Sequence, residues 1–247
     1  MRPGRVRGPR SRLPAIAVLR RLARPLAVLA LVVPALAAAQ ETTTPAPSDP
    51  AAFERLWRAR LDSMKLRVSP ADVKFMTDMI HHHAQAVTMS NMAPANGASP
   101  AVRTLAARII NAQRDEIEIM RRWLGDRKQP VPMLHEMDGA LMVHLPGAAM
   151  DHGAGHGGHG AMAGMLTDAE LATLRAAKGA AFDRLFLASM IRHHQGAVTM
   201  VEQLFATDGA GLDEQVFKFA SDVQVDQRTE VQRMQGMLAA MGPAPAR

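Results

Sequence analysis

The sequence predicts an all-α protein, a four-helix bundle made of two repeated helical hairpins. Three observations predict it: an internal repeat, helix-start signals before the long apolar segments, and apolar residues at helical spacing. Residues 79–89, MIHHHAQAVTM, return without a gap as residues 190–200, MIRHHQGAVTM. A segment with the pattern Gln-x-x-Glu-x-x-x-Met follows each copy, so each repeat contains two helices. Two such hairpins can bury their apolar faces against each other.

The first 39 residues carry the positive charge of the chain and predict a secretory signal peptide. The formal net charge is +6, but this segment holds eight arginines and no acid, which leaves −2 for the remainder. An apolar run at 25–38 ends in small residues, so we expect cleavage near Ala39 and Gln40. The run is short for a membrane-spanning helix, although an uncleaved anchor is the alternative. The sequence therefore predicts a periplasmic or secreted protein without a nucleic-acid partner or, after cleavage, a membrane partner.

The remaining chain divides at its helix signals. Residues 40–68 form a flexible lead-in with a short helix, 69–125 the first hairpin, 126–166 a flexible linker, and 167–242 the second hairpin. Ser69 and Ser99 each precede a proline and can cap a helix, and Thr167 with Glu170 forms a capping box. Gly179 is expected to interrupt the helix that follows. No segment shows the alternation typical of a strand, and the Gly-rich linker is expected to be disordered.

The repeated face carries the chemistry. At about 100° per residue, the paired histidines and their flanking methionines share one side of each repeated helix, and a methionine of each partner helix is expected to face inward. The candidate ligands are Met79, His82, His83, Met89, Met120, Met190, His193, His194, Met200 and Met234. Thioether favours cuprous copper, and silver by the same softness, while imidazole accepts both copper states, nickel and zinc. Copper is therefore the predicted metal, with Gln113, Glu116, Gln227 and Glu230 as groups that could orient the imidazoles.

The linker supplies a second set of candidate ligands. Five residues that can bind soft metals lie close together on a glycine-rich segment: Met150, His152, His156, His159 and Met162. Such a tract can wrap around an ion without a preformed site. The alternatives are a solvated spacer or an adventitious nickel binder.

Other chemistries fit the residues less well. A carboxylate-bridged di-iron oxidase needs Glu-x-x-His in each repeat, but Asp78 precedes His81 where Ser189 precedes Arg192. Haem with His/Met ligands stays open, although covalent attachment is excluded because the chain has no cysteine. Methionines at helical spacing also pack ordinary cores, so a helical interaction module without metal is a further alternative.

The repeated Met-Ile-x-His-His motif, Phe182-Asp183-x-x-Phe186 and the Gln-x-x-Glu-x-x-x-Met helices resemble the domain-of-unknown-function 305 family, DUF305. The resemblance covers about residues 69–241, apart from the linker. It implies a ferritin-like helical bundle, export from the cytoplasm and, for some members, copper binding in copper resistance. The paired histidines and methionines of that family correspond to Met79, His82, His83, Met89, Met190, His193, His194 and Met200.

We therefore expect an exported protein that sequesters or passes on copper. The sequence shows no catalytic nucleophile, acid–base pair or phosphate loop, so we predict a non-enzyme without an organic cofactor. Its expected partners are metal ions and other periplasmic copper-handling proteins. A redox-active metallo-bundle, either an oxidase or an electron carrier, is the alternative function.

Overall fold

A computed structural model describes residues 49–65, 68–146 and 162–243. In this part of the chain the elements are α1 (Pro50–Lys65), α2 (Pro70–Ala95), α3 (Pro100–Asp126), β1 (Met133–Met137), β2 (Ala140–His144), α4 (Asp168–Ala176), α5 (Gly179–Phe205) and α6 (Glu214–Ala240). The predicted signal peptide at 1–39 and most of the predicted metal-binding linker lie outside the described residues. The mostly helical fold confirms the predicted fold class, while its ferritin-like detail stays a prediction.

The long helices begin where the sequence signals predict. Ser69 accepts a hydrogen bond from the Ala71 amide, and Ser99 accepts one from the Val102 amide. Thr167 and Glu170 form the reciprocal capping box that starts α4. These side chains satisfy amide groups that have no partner within their helix.

The bundle is organised around α2 and α5, the two helices that carry the repeated motif. Helix α2 packs against α3, α5 packs against α6, and α2 contacts α5 between the two hairpins. The turn between α4 and α5 is tied to the end of α2, because the Gly179 amide donates to the Asn96 carbonyl at 2.8 Å. The two repeats therefore share one interior.

The prediction that residues 126–166 lack regular structure is wrong for 133–144, which form an antiparallel β-hairpin. Asp138 and Gly139 both have positive φ, as a two-residue type I′ turn requires. Leu134, Leu141 and Val143 alternate along the strands and pack on the core, so their burial stabilises the hairpin. The Asp-Gly turn and this alternation are the sequence signals that the helical interpretation overlooked.

Helix α1 forms as predicted, but its apolar face is exposed. Phe53, Leu56 and Trp57 retain 53%, 61% and 51% of their accessible surface. Among the described helices, none combines the length and the apolar character needed to cross a membrane.

Candidate metal centre

Four histidines meet in the interior where α2 contacts α5. His82 and His193 occupy the same position in the two repeats, and their ring centroids lie 3.8 Å apart with the ring planes at 36°. His83 and His194 flank this pair, with centroids 6.5 Å from His82 and 6.2 Å from His193 respectively. All four side chains are at most 1% exposed. The helical repeat thus brings its predicted histidines together in one cluster.

In three of these imidazoles, one ring nitrogen contacts an oxygen acceptor. His83 Nε2 lies 2.6 Å from Glu116 Oε2, and His194 Nε2 lies 2.7 Å from Glu230 Oε2. His82 Nε2 lies 3.0 Å from the Ala163 carbonyl oxygen. Because a carbonyl or an ionised carboxylate only accepts hydrogen bonds, Nε2 carries the proton in each of these rings.

The opposite ring nitrogens are buried without a hydrogen-bond partner. In His82, His83 and His194 this atom is Nδ1. In His193, the fourth ring of the cluster, the nitrogen without a partner is Nε2. In the neutral form of each of the three rings assigned above, Nδ1 carries the lone pair. A histidine that binds a metal typically donates its other N–H to a carboxylate or a backbone carbonyl, which fixes the tautomer and the ring orientation. The contacts of these rings match that pattern.

The interior keeps the central pair neutral. Burial is the main cause that lowers the pKa of His82 from 6.5 to about 3, with repulsion from His83 next and the Ala163 carbonyl opposing. Burial also places the pKa of His193 well below its usual value, with repulsion from His82 as the second cause. Neutral imidazole is the form that binds metals, so protons compete little for these rings near neutral pH.

The predicted methionines divide between two core clusters that follow the repeat. We call the buried residues around Met79, Met120 and Met200 cluster A, and those around Met89, Met190 and Met234 cluster B. Each cluster takes a methionine from a repeated helix, one from its partner helix and one from the opposite repeat. Five of the six are fully buried and Met200 is 8% exposed. The three methionines of cluster A therefore occupy the same positions in the repeat as the three methionines of cluster B.

A short segment, residues 162–166, contacts α2 at His82 and Gln85 and approaches α5 at Gly196, and we call it the strap. Gln85 holds it with two hydrogen bonds, since its Nε2 donates to the Leu166 carbonyl at 2.9 Å and its Oε1 accepts from the Leu166 amide at 2.7 Å. Gly196 lets it approach α5, because an added Cβ there would lie 2.8 Å from the Cα of Gly164 and closer still to the Ala163 carbonyl. The Ala163 carbonyl is therefore held against His82.

The remaining sequence-derived candidates have different positions. Met162 is half-buried and packs on cluster A, whereas Met150, His152, His156 and His159 lie outside the described residues. Gln113 and Gln227 are buried. His81 is half-buried.

Sequence reasoning did not assign the strap or its two anchors, Gln85 and Gly196. These two residues occupy equivalent positions in the repeats but differ in type. The difference between glutamine and glycine at this repeated position was the sequence signal that could have indicated a separate role for these two residues.

The residues present fit a soft or borderline metal ion. The described residues contain no group of three or more His, Cys, Asp or Glu side chains arranged to hold one ion. The interior buries both imidazole and thioether side chains. This donor set suits copper, in which thioether favours the cuprous state and imidazole accepts both states.

Solved structures of similar proteins share this architecture. A DUF305 fragment from Deinococcus radiodurans is 29% identical with a TM-score of 0.54, and the match covers 70% of this chain and 98% of that one. A candidate secreted DUF305 protein from Streptomyces coelicolor is 26% identical with a TM-score of 0.54, over 72% and 97%. The protein CopM in its Cu(II)-bound form is 30% identical with a TM-score of 0.50, over 68% and 96%.

The family profile described as "Domain of unknown function (DUF305)" matches residues 72–238. No curated protein gives a significant match. The profile spans both repeated motifs and more than half of the chain, and this confirms the resemblance seen in the sequence. The chain belongs to the DUF305 family.

Proposed function

We propose that this chain is an exported copper-binding protein that sequesters copper or passes it on, and so limits copper toxicity. The observation that carries the proposal is the state of the four buried imidazoles. Each has one ring nitrogen without a hydrogen-bond partner, and the rings lie in a core that contains six repeated methionines. Burying so many unpartnered nitrogens is costly unless they bind something.

Two arguments support copper over other metals. Thioether sulfur is a soft donor that selects cuprous ion, whereas zinc sites rely on imidazole, thiolate and carboxylate. In addition, CopM, which is 30% identical to this chain, has been solved in a Cu(II)-bound form. In this proposal the chain acts by holding the ion, and it does not turn over a substrate.

The test replaces one thioether in each cluster. Met79→Leu combined with Met190→Leu keeps apolar volume and should cost little stability. We expect the affinity for cuprous ion, measured against a competing chelator, to fall by at least about tenfold, because even groups that only orient metal ligands contribute that much. Unchanged cuprous affinity would return the methionines to a packing role.

Met76→Leu provides the matched control. Met76 lies in the same helix as Met79, both are fully buried, and the repeat counterpart of Met76 is already a leucine, Leu187. This variant should therefore bind copper as the unaltered chain does.

Export is supported by the sequence of residues 1–39 and by the candidate secreted relative from Streptomyces coelicolor. N-terminal sequencing of the exported protein should give a start near Gln40. A start at Met1 would contradict cleavage.

A further inference from the structure

The outer face of the β-hairpin displays a second group of soft donors. Strand residues alternate between two faces, so 133, 135 and 137 of β1 share a face with 140, 142 and 144 of β2. Five of these six side chains are methionine or histidine: Met133, His135, Met137, Met142 and His144. On the opposite face, Leu134, Leu141 and Val143 pack on cluster A. The donors therefore line the face that is turned away from the core.

The pairing register places these donors next to one another. Met133 pairs with His144, and His135 pairs with Met142, so each imidazole lies opposite a thioether. Side chains directly opposite each other have Cβ atoms about 4.5–5.5 Å apart, and diagonal neighbours are within reach of long side chains. Two imidazoles and two thioethers thus occupy four adjacent positions on one face of the two strands.

The two rings are already spaced for a shared ion. The centroids of His135 and His144 lie 5.4 Å apart. With a metal–nitrogen bond of about 2.0 Å, each ring centroid lies about 3 Å from its ion, so two rings on one ion are separated by about 5–6 Å. The observed separation falls within that range.

The hairpin is fixed to the bundle, which makes its outer face a stable platform. The Leu141 amide donates to Thr88 Oγ1 at 2.9 Å, and Asn91 Nδ2 donates to the Gly139 carbonyl at 3.0 Å. Glu136 of β1 also pairs with Arg114 of α3 at 2.8 Å. A site built on anchored strands needs little ordering when an ion binds.

We propose that His135, His144, Met133 and Met142 form a surface site for a soft monovalent ion, cuprous copper or its mimic silver. The site is separate from the buried histidine cluster and does not depend on the function proposed for that cluster. His135 is exposed and Met133 is 42% exposed, so an ion can enter directly from solvent. Water and chelators reach the same donors, and we expect faster exchange here than in the interior.

The experiment titrates the purified, metal-free full chain with silver ion, which is diamagnetic, and follows methionine methyl groups by NMR. The methyl signals of Met133 and Met142 should shift on addition of silver. His135→Ala combined with His144→Ala should abolish these shifts and lower the number of ions bound by one. Methyl signals that do not move in the unaltered chain, or that still move in the double variant, would overturn the proposal.

Three further variants keep the result unambiguous. Ala140→Ser changes the same face of the hairpin but removes no metal donor and no anchoring contact, so it should retain the silver-dependent shifts. Met133→Leu combined with Met142→Leu preserves an apolar strand and should still lower the stoichiometry by one, whereas unchanged stoichiometry would count against the site. The Met79→Leu and Met190→Leu pair should leave the hairpin signals unchanged, which separates this site from the buried one.

Discussion

The close approach of the strap to α5 predicts that Gly196→Ala destabilises the protein. The new Cβ would lie 2.8 Å from the Gly164 Cα and closer to the Ala163 carbonyl, whereas carbon atoms in contact prefer about 3.5–4.0 Å. The strap must therefore move, and its hydrogen bonds with His82 and Gln85 are strained or broken.

The expected magnitude follows from those contacts. Three hydrogen bonds join the strap to His82 and Gln85, and each is worth about 1 kcal/mol net. Replacing glycine by alanine within a helix returns about 1 kcal/mol through helix propensity. We therefore expect the free energy of unfolding to fall by about 2 kcal/mol, which lowers the melting temperature by about 4–8 °C.

Gly236→Ala is the control for this experiment. Gly236 also lies within a long helix, α6, but nothing lies within 4 Å of a Cβ added there. This variant should gain about 1 kcal/mol, a rise of about 2–4 °C. Thermal unfolding followed by circular dichroism measures both changes. Equal shifts of the same sign in the two variants would refute the close approach of the strap.

Three further predictions concern the metal donors. The folded-state pKa of His82 lies near 3, below its ordinary 6.5. The part of the stability of the metal-free chain that depends on the neutral His82 ring is therefore fully present above pH 6.5 and is lost as the pH falls towards 3. Across that range His82 should make the free energy of unfolding fall by about 1.4 kcal/mol for each pH unit of acidification. If the dependence of the unfolding free energy on pH were the same in His82→Gln, the lowered pKa of His82 would be contradicted. Glu116→Gln should weaken copper binding by about 10–100-fold in a chelator competition, whereas Glu118→Gln, at an exposed pair on the same helix, should not. Replacing the three histidines within 150–161 by alanine should lower the number of copper ions bound while the helical circular dichroism stays constant, and loss of helical signal would count against a separate tract.

Local signals in the sequence predicted the helices well, because the start of a helix depends on residues that are close together in the sequence. Ser69, Ser99 and Thr167 cap the helices that they were predicted to start. The β-hairpin was missed because its alternation covers only five residues on each strand, within a segment whose composition indicated disorder. Its stability depends on burial of Leu141 against the bundle, a long-range contact that composition does not reveal.

The repeat also predicted which side chains share the interior, since residues three and four apart lie on one helix face. It did not predict the strap, because Ala163 contributes a backbone carbonyl and any residue could supply one. Nor did it predict the 3.8 Å approach of His82 to His193, which depends on how α2 and α5 cross. Local patterns therefore gave the donors, and tertiary packing gave their arrangement.

The proposed function requires that the buried imidazoles bind copper. The most direct test is a calorimetric titration of the metal-free chain with cuprous ion in a competing chelator, compared with His83→Ala combined with His194→Ala. We expect tight binding in the unaltered chain and loss of that binding in the double variant, because each replaced ring carries an unpartnered Nδ1 and is held by a carboxylate. Equal affinity and stoichiometry in the two proteins would contradict the claim.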